Sequence, residues 1–514
     1  MQLTQGLHRA VQTSPDAVAT VCGDRRRTFR EHADRVARLA AALHDLGVRE
    51  GDRVAILSLN SDRYAEYLLA VPWAGAVVNP VNIRWSPAEI VYSLRDSGTT
   101  VLLVDDAFAP LVPTLTDQVE SLVAVVHCGD GVLPGGLLSY EELLAAHEPV
   151  DDARRSGDDL AGIFYTGGTT GFPKGVMLSH ANLVTSAMGA MASGELVRRG
   201  SVLLHAAPMF HLADLAAWTS QVLQGGTHVT VPFFEPTAVL DAIERHGVTD
   251  MLLVPTMIQI LVDHPAVGDH DLSSLQRLLY GGSVISTGVL ERTLATLPGV
   301  RLTQAYGMTE LSPVATLLLP DEHEGRRLSS GGRAALHSEV RILDADDRPV
   351  PTGTVGEICV RGGHVMQGYW NKPEETRAAL RGGWMHTGDG GYVDEDGFVY
   401  VVDRIKDMIV TGGENVYSAE VESALSKHPS VAQVAVIGLP DERYGEKVHA
   451  YVVAAPGTAP DPDELQTHAR GLIAGYKVPR SFTLVDALPM SGAGKILKRE
   501  LRAQAAQAAQ EVTA

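Results

Sequence analysis

Cysteine is nearly missing from this chain. Cys22, Cys128 and Cys359 are the only three in 514 residues, far apart and without metal-ligand spacing, which argues against a disulfide framework and gives no sign of a zinc site. Positive charge is also short, with 42 Lys and Arg against 62 Asp and Glu and a net charge of −20. A general surface for nucleic acid or anionic lipid is therefore disfavoured, and any phosphate site must be local. Long apolar runs are absent too: Val101–Val104 and Ala187–Ala192 fall far short of a bilayer span, and the opening MQLTQGLHRA has no apolar core. Neither membrane insertion nor secretion is expected, and the cytoplasm is the expected compartment. No internal repeat of diagnostic period is visible.

What is present is ordinary globular material, with 45% apolar and 20% charged residues, so a largely disordered chain is excluded. The length calls for two or more cores. Thr28 to Leu46 reads as an amphipathic helix opened by a Thr28/Glu31 capping box. Strand-like Val54–Leu59 and Val101–Val104 alternate with helical patterns around residues 65–76 and 87–94. The alternation predicts a layered α/β domain. Apolar runs at 163–165, 202–204, 251–254 and 278–280 each precede loop signals, where α/β proteins place their chemistry. Residues 339–343 and 357–361 alternate like antiparallel strands and predict a small β-rich subdomain. From Ser418 onward a short helix, strands at 431–436 and 449–453, a helix from Pro462 and a strand at 481–485 predict a compact α+β unit. The expected organisation is a domain over 1–403, a hinge at 404–407 and a small mobile domain over 408–514.

The stretch Thr166-Gly167-Gly168-Thr169-Thr170-Gly171-Phe172-Pro173-Lys174-Gly175 follows one of those strands. Glycines let backbone N–H groups approach a polyphosphate, threonines add hydroxyl donors, and Lys174 adds charge. It is not a Walker A loop, which needs Gly-Lys-Ser/Thr opening a helix, whereas Phe172 and Pro173 intervene here. A plain surface turn would not need paired threonines and a lysine in one loop.

With this loop as its most specific signature, the sequence resembles the adenylate-forming superfamily of acyl-CoA synthetases, luciferases and peptide-synthetase adenylation domains, in the same motif order over nearly its whole length. Gly167 stands where the family usually has serine. The resemblance implies that Gly281-Gly282-Ser283 and Gln304-Ala305-Tyr306-Gly307-Met308 sandwich adenine, that Thr309 touches the α-phosphate and that Glu310 helps to hold Mg²⁺. It implies that Asp389 accepts bonds from both ribose hydroxyls and that Arg404 contacts ribose or phosphate, with Lys406 at the hinge. Lys495 would bridge the attacking carboxylate and the α-phosphate, placing positive charge where the transition state spreads negative charge. Gly412-Gly413-Glu414 would border the CoA channel after the small domain rotates.

His211, in Pro208-Met209-Phe210-His211, is grouped with Lys495 as a candidate catalytic residue, gating the acyl pocket and not acting as a general base. Amino acids are disfavoured because amino-acid-activating relatives carry Asp where His211 stands, and dicarboxylates because malonate-using relatives carry Arg where Ala305 stands. Val254, Pro255, Thr256, Met257 and Tyr280 are expected as further pocket walls, suited to an uncharged acyl tail. The expected activity is that of an AMP-forming acyl-CoA synthetase using ATP, Mg²⁺ and coenzyme A. The rivals are a single half-reaction, acyl transfer to an amine or carrier-protein thiol, and a non-catalytic sensor of nucleotide or acyl ligand. A second copy of the chain, in a homodimer, is the one macromolecular partner carried forward.

Overall fold

The computed structural model describes residues 1–167, 173–283, 285–412, 414–441, 443–490 and 496–513. It divides into two compact units, Met1–Val340 with Val360–Met385, and Arg341–Cys359 with His386–Ala514. The division falls earlier in the chain than the expected boundary after residue 403.

The first unit is the predicted layered α/β body, built on two large sheets. In the eight-stranded sheet, Val77–Pro80, Arg53–Leu57, Thr99–Val104 and Ala124–His127 run parallel. Their apolar runs are continuous because both faces are covered, and Val54–Leu57 and Val101–Val104 are fully buried. Leu160–Thr166 joins this sheet beside Val77–Pro80 and turns back as Lys174–Ser179 in an antiparallel pair. The nine-stranded sheet has a parallel centre of Val202–His205, Asp250–Leu253, Arg277–Gly281 and Arg301–Gly307, so their carboxyl ends share one edge.

Local sequence signals account for the helices that flank these strands. Phe29–Asp45 starts at the predicted capping box, with the Glu31 backbone N–H donating to Thr28 Oγ1 and the Thr28 N–H to Glu31 Oε2. Pro87–Ser97 is opened by Ser86 and Glu89 in the same way and closed by Gly98 in the left-handed conformation, φ 62°. Helix 65–76 was expected a turn too late; it runs Asp62–Trp73, opened by Ser61.

The second unit holds a four-stranded sheet of Glu339–Leu343, Gly356–Arg361, Met385–Val393 and Val399–Arg404. It also holds the expected α+β element: Val431–Asp441 and Gly445–Ala454 form a long antiparallel pair, Ser481–Leu484 adds in parallel, and Ser418–Leu425 and Pro462–Arg470 pack their buried faces onto it. The strands at 357–361 and 339–343 form as predicted, but most of that β-rich piece groups with this unit and not with the large domain. The physical link is the antiparallel pair in which Asp389 faces Arg404, with the neighbouring Asp403 carboxylate accepting Ser418 N–H and Oγ–H.

Candidate active site

The hairpin register sets Thr166 opposite Lys174 at the mouth of the glycine-threonine loop. Gly168, Thr169 and Thr170 lie outside the described residues. At Gly167 a Cβ atom would meet nothing within 4 Å. Below the loop, the Tyr165 hydroxyl donates to Asp96 Oδ2 at 2.6 Å, and burial with that carboxylate raises its pKa far above the usual phenol range.

Lys174 is half-buried, its Nζ 4.9 Å from the centroid of the Tyr369 ring, a cation-π distance. Tyr369 reaches it because Gly368–Tyr369 pairs with Met177 and Val176 on the returning strand. The Tyr369 hydroxyl in turn donates to Glu310 Oε1 at 2.8 Å. Glu310 is buried in a single turn, Thr309–Leu311, directly after the strand Arg301–Gly307, and its carbonyl accepts the Met366 N–H at 2.9 Å. One tyrosine thus joins the expected phosphate lysine to the expected metal carboxylate. Sequence reasoning missed Tyr369, although Gly368-Tyr369-Trp370 just before Pro373 was a visible signal.

At the carboxyl edge of the nine-stranded sheet, Tyr280 pairs with Gln304 and Gly281 with Ala305. A Cβ at Gly281 would lie 2.2 Å from the Ala305 carbonyl oxygen, so the two expected adenine segments approach as only glycine allows. Gly282 has φ 81°, Ser283 is exposed, and Gln304, Ala305, Tyr306, Gly307, Met308 and Thr309 are all half-buried, open enough to meet a ligand.

Successive residues on a strand face opposite ways, so Tyr280 and Leu279 have different surroundings. Tyr280 is buried in the main core with Leu253 and Met257, its hydroxyl donating to His323 Nε2 at 2.9 Å. His323 Nδ1 donates to the Leu319 carbonyl, which fixes the tautomer that leaves Nε2 as acceptor. Leu279 faces the other side, with Ala305, Met191 and Ala213. A small cavity opens there between Val197, Leu203, Ala217, Leu252 and Leu279, closed at one end by the Arg277–Asp250 ion pair at 2.6 Å.

His211 caps the helix Leu212–Gln224, its Nδ1 accepting the Ala213 N–H at 3.2 Å, and stands edge-on to Phe210. The segment before it is clamped by Asn60, which donates to the carbonyls of His205 and Ala207 and accepts the Met209 N–H. Fully buried His205 joins Asp214 Oδ2 at 2.8 Å and His228 at 3.0 Å, a polar brace under the same helix.

Within the second unit the structure brings Asp389 and Arg404 together. They face each other across the strand pair, with Arg404 Nε 2.7 Å from Asp389 Oδ1 and Nη1 donating to the Thr387 carbonyl. Lys406 follows on an exposed turn, where partial desolvation draws its pKa down, and Arg502 pairs with Asp407 at 2.8 Å. Gly412 has φ 62° and donates to the Tyr444 carbonyl, and exposed Glu414 begins the edge strand Glu414–Val416. Gly413 and Lys495 lie outside the described residues.

Two family models match the chain, an AMP-binding enzyme model over residues 7–370 and an AMP-binding enzyme C-terminal domain model over 420–495. A feruloyl-CoA synthase of Amycolatopsis sp is 42% identical over 495 residues, covering 96% of this chain and 97% of its own. The fatty acid–[acyl-carrier-protein] ligase ScoC of Streptomyces coeruleorubidus is 38% identical, covering 96% and 94%. The solved o-succinylbenzoate CoA synthetase MenE from Bacillus subtilis, in complex with its acyl-adenylate, superimposes with a TM-score of 0.87 at 32% identity over 97% of each chain. Among the described residues no helix is long and apolar enough to cross a membrane.

Proposed function

This chain belongs to the AMP-binding enzyme family, whose models cover both its units, and from that we propose how it works as an AMP-forming acyl-CoA synthetase and which acid it takes. The reaction joins a carboxylic acid to ATP as an acyl-adenylate with release of pyrophosphate, then passes the acyl group to the thiol of coenzyme A with release of AMP. The observation that carries the reading is the Lys174–Tyr369–Glu310 chain, in which one tyrosine links the cation beside the phosphate loop to a buried carboxylate.

Glu310 suits Mg²⁺, since a hard divalent ion on phosphate takes carboxylate oxygen and few protein ligands, and once bound it would neutralise phosphate charge. Thr166, Gly167, Gly168, Thr169, Thr170 and Lys174 hold the polyphosphate. Gly281, Gly282 and Ser283 with Gln304 to Met308 enclose the adenine, Tyr306 stacking on it, and Thr309 meets the α-phosphate. Asp389 accepts the ribose hydroxyls, oriented by its ion pair with Arg404. The substrate carboxylate oxygen attacks the α-phosphorus, the bond to the bridging oxygen breaks and pyrophosphate leaves, while Lys495 offsets the growing negative charge. The thiol sulfur then attacks the acyl carbon, its proton is lost, and AMP leaves. Rotation about residues 404–407 exchanges Lys495 for Gly412, Gly413 and Glu414 between the two steps.

The acid we propose is an aryl-propenoate of the ferulate type, with an uncharged acyl tail. The 42% identity to a feruloyl-CoA synthase supports it, as do the apolar surfaces around Leu279 and Ala305. His211 gates this pocket. Supply of ATP and coenzyme A points to the cytoplasm, and a homodimer is the assembly to test by light scattering. The deciding assay gives ATP and a panel of cinnamates, benzoates and fatty acids to the enzyme, with coenzyme A or an acyl-carrier protein, and follows pyrophosphate, AMP and thioester separately. Ferulate turned over at least tenfold better than aliphatic acids is the expected result. AMP without a CoA thioester would sink the acceptor assignment.

A further inference from the structure

The strands that carry Asp389 hold a second cluster that adenylation and thioester formation do not use. Glu357 and Cys359 are two residues apart on Gly356–Arg361 and so share one face of the sheet. His386, on Met385–Val393, meets both: its Nδ1 is 2.8 Å from Glu357 Oε2 and 3.3 Å from Cys359 Sγ. The three donor atoms all lie within 4.8 Å of one another. Carboxylate oxygen, thiol sulfur and imidazole nitrogen form the mixed donor set of a zinc-class ion. Such an ion, at about 2.0–2.3 Å from each donor, holds tetrahedral ligands roughly 3.3–3.7 Å apart, so the two distances from His386 need to open by under about 1 Å.

The far side of the histidine points the same way. His386 Nε2 is buried without a hydrogen-bond partner and lies 3.9 Å from Asp347 Oδ1. A carboxylate behind the imidazole is the arrangement that orients a ligating histidine. Cys359 is fully buried, and the Glu357 side chain, 15% exposed, is the way in from solvent.

We propose that Glu357, Cys359 and His386 bind a thiophilic divalent cation of the zinc class, and that its binding weakens nucleotide binding at Asp389. On ligation the thiol gives its proton to solvent and no other bond is made or broken. The coupling runs through Glu357, whose Oε1 accepts the Gly388 N–H at 2.9 Å. Gly388, at φ 72°, immediately precedes Asp389, whose own N–H donates to Thr387 Oγ1. Drawing Glu357 Oε2 onto a cation pulls on the Oε1 that holds this N–H and shifts the turn that aims the Asp389 carboxylate. The metal site stands by itself; its effect on nucleotide rests on Asp389 taking the ribose, which loss of AMP binding in Asp389→Asn tests separately.

The test titrates full-length, metal-stripped protein with Co²⁺ and then Zn²⁺ in excess Mg²⁺. A sulfur-to-cobalt charge-transfer band at one equivalent is expected, lost in Cys359→Ser and kept in Cys22→Ser, with Zn²⁺ affinity at least tenfold weaker in Cys359→Ser. Glu357→Gln, which retains an acceptor for Gly388, serves if Cys359→Ser does not fold, and it too should weaken Zn²⁺ at least tenfold. A band that survives in Cys359→Ser or vanishes in Cys22→Ser, or no stoichiometric binding, overturns the site. AMP affinity measured by calorimetry should fall at least fivefold with Zn²⁺ in the parent protein and not in Cys359→Ser; unchanged AMP affinity in the metal-bound parent overturns the coupling.

Discussion

Tyr369 uses both ends of its side chain on the phosphate side of the site, the ring under Lys174 and the hydroxyl on Glu310. The two contacts separate chemically. Tyr369→Phe keeps the ring and removes one donor from a buried carboxylate, a loss of about 1–3 kcal/mol. The Mg²⁺ concentration for half-maximal pyrophosphate exchange should rise about five- to tenfold while KM for the acid holds steady; an unmoved Mg²⁺ dependence would reduce Tyr369 to packing. Gly167 offers the opposite case. A Cβ there meets nothing within 4 Å, so Gly167→Ser restores the hydroxyl usual in the family without a clash, and pyrophosphate exchange should stay within about twofold of the parent. Residue identity made Lys174 and Glu310 legible in the sequence, because a lysine in a glycine-threonine loop and a carboxylate after Tyr-Gly-Met-Thr are chemical signals. Tyr369 was silent because its role comes from pairing with a strand nearly 200 residues away.

The strand Arg277–Gly281 shows what an element decides. Its alternation sends Tyr280 into the core and Leu279 toward the cavity between Val197, Ala217 and Leu252. Leu279→Ala should enlarge the acyl site and shift kcat/KM toward bulkier acids several-fold, whereas Tyr280→Phe should leave the ranking of acids unchanged. The second variant leaves His323 Nε2 without its donor, so it should cost about 1–3 kcal/mol, read as a lower midpoint in denaturant. Elements were the most legible level of the fold, since capping boxes at Thr28 and Ser86 and unbroken apolar runs are local signals. Which face of a strand meets a ligand is not local. It depends on what lies across the sheet.

At the scale of the whole molecule, the division of the chain into an AMP-binding region over 7–370 and a C-terminal region over 420–495 that ends on Lys495 makes a kinetic prediction. Lys495→Ala should lose adenylation by at least about a hundredfold and keep thioester formation from a preformed acyl-adenylate, measured in single turnover; equal loss of both steps would contradict an exchange about residues 404–407. Acid stability is a second property of the whole chain. Burial lowers His180 to about 4 and His364 to about 3 in the first unit, and His449 to about 4 in the second. Folded, these imidazoles stay neutral while the unfolded chain protonates them near their ordinary value, so stability is complete above about pH 6.5 and is lost as pH falls toward 4. The melting midpoint should drop by at least about 5 °C between pH 7 and pH 4.5, and His180→Gln should flatten that dependence. The order of motifs from Thr166 to Lys495, and with it the adenylating chemistry, was determined by the sequence alone, because each motif is a short run whose residue types its chemistry demands. Only the tertiary structure decided that the β-rich piece groups with the C-terminal residues, that Tyr369 ties Lys174 to Glu310, and that Glu357, Cys359 and His386 converge although no metal-ligand spacing appears in the chain. Side chains on neighbouring strands become neighbours through ladder register, and register is set by long-range pairing that no short run of residues encodes.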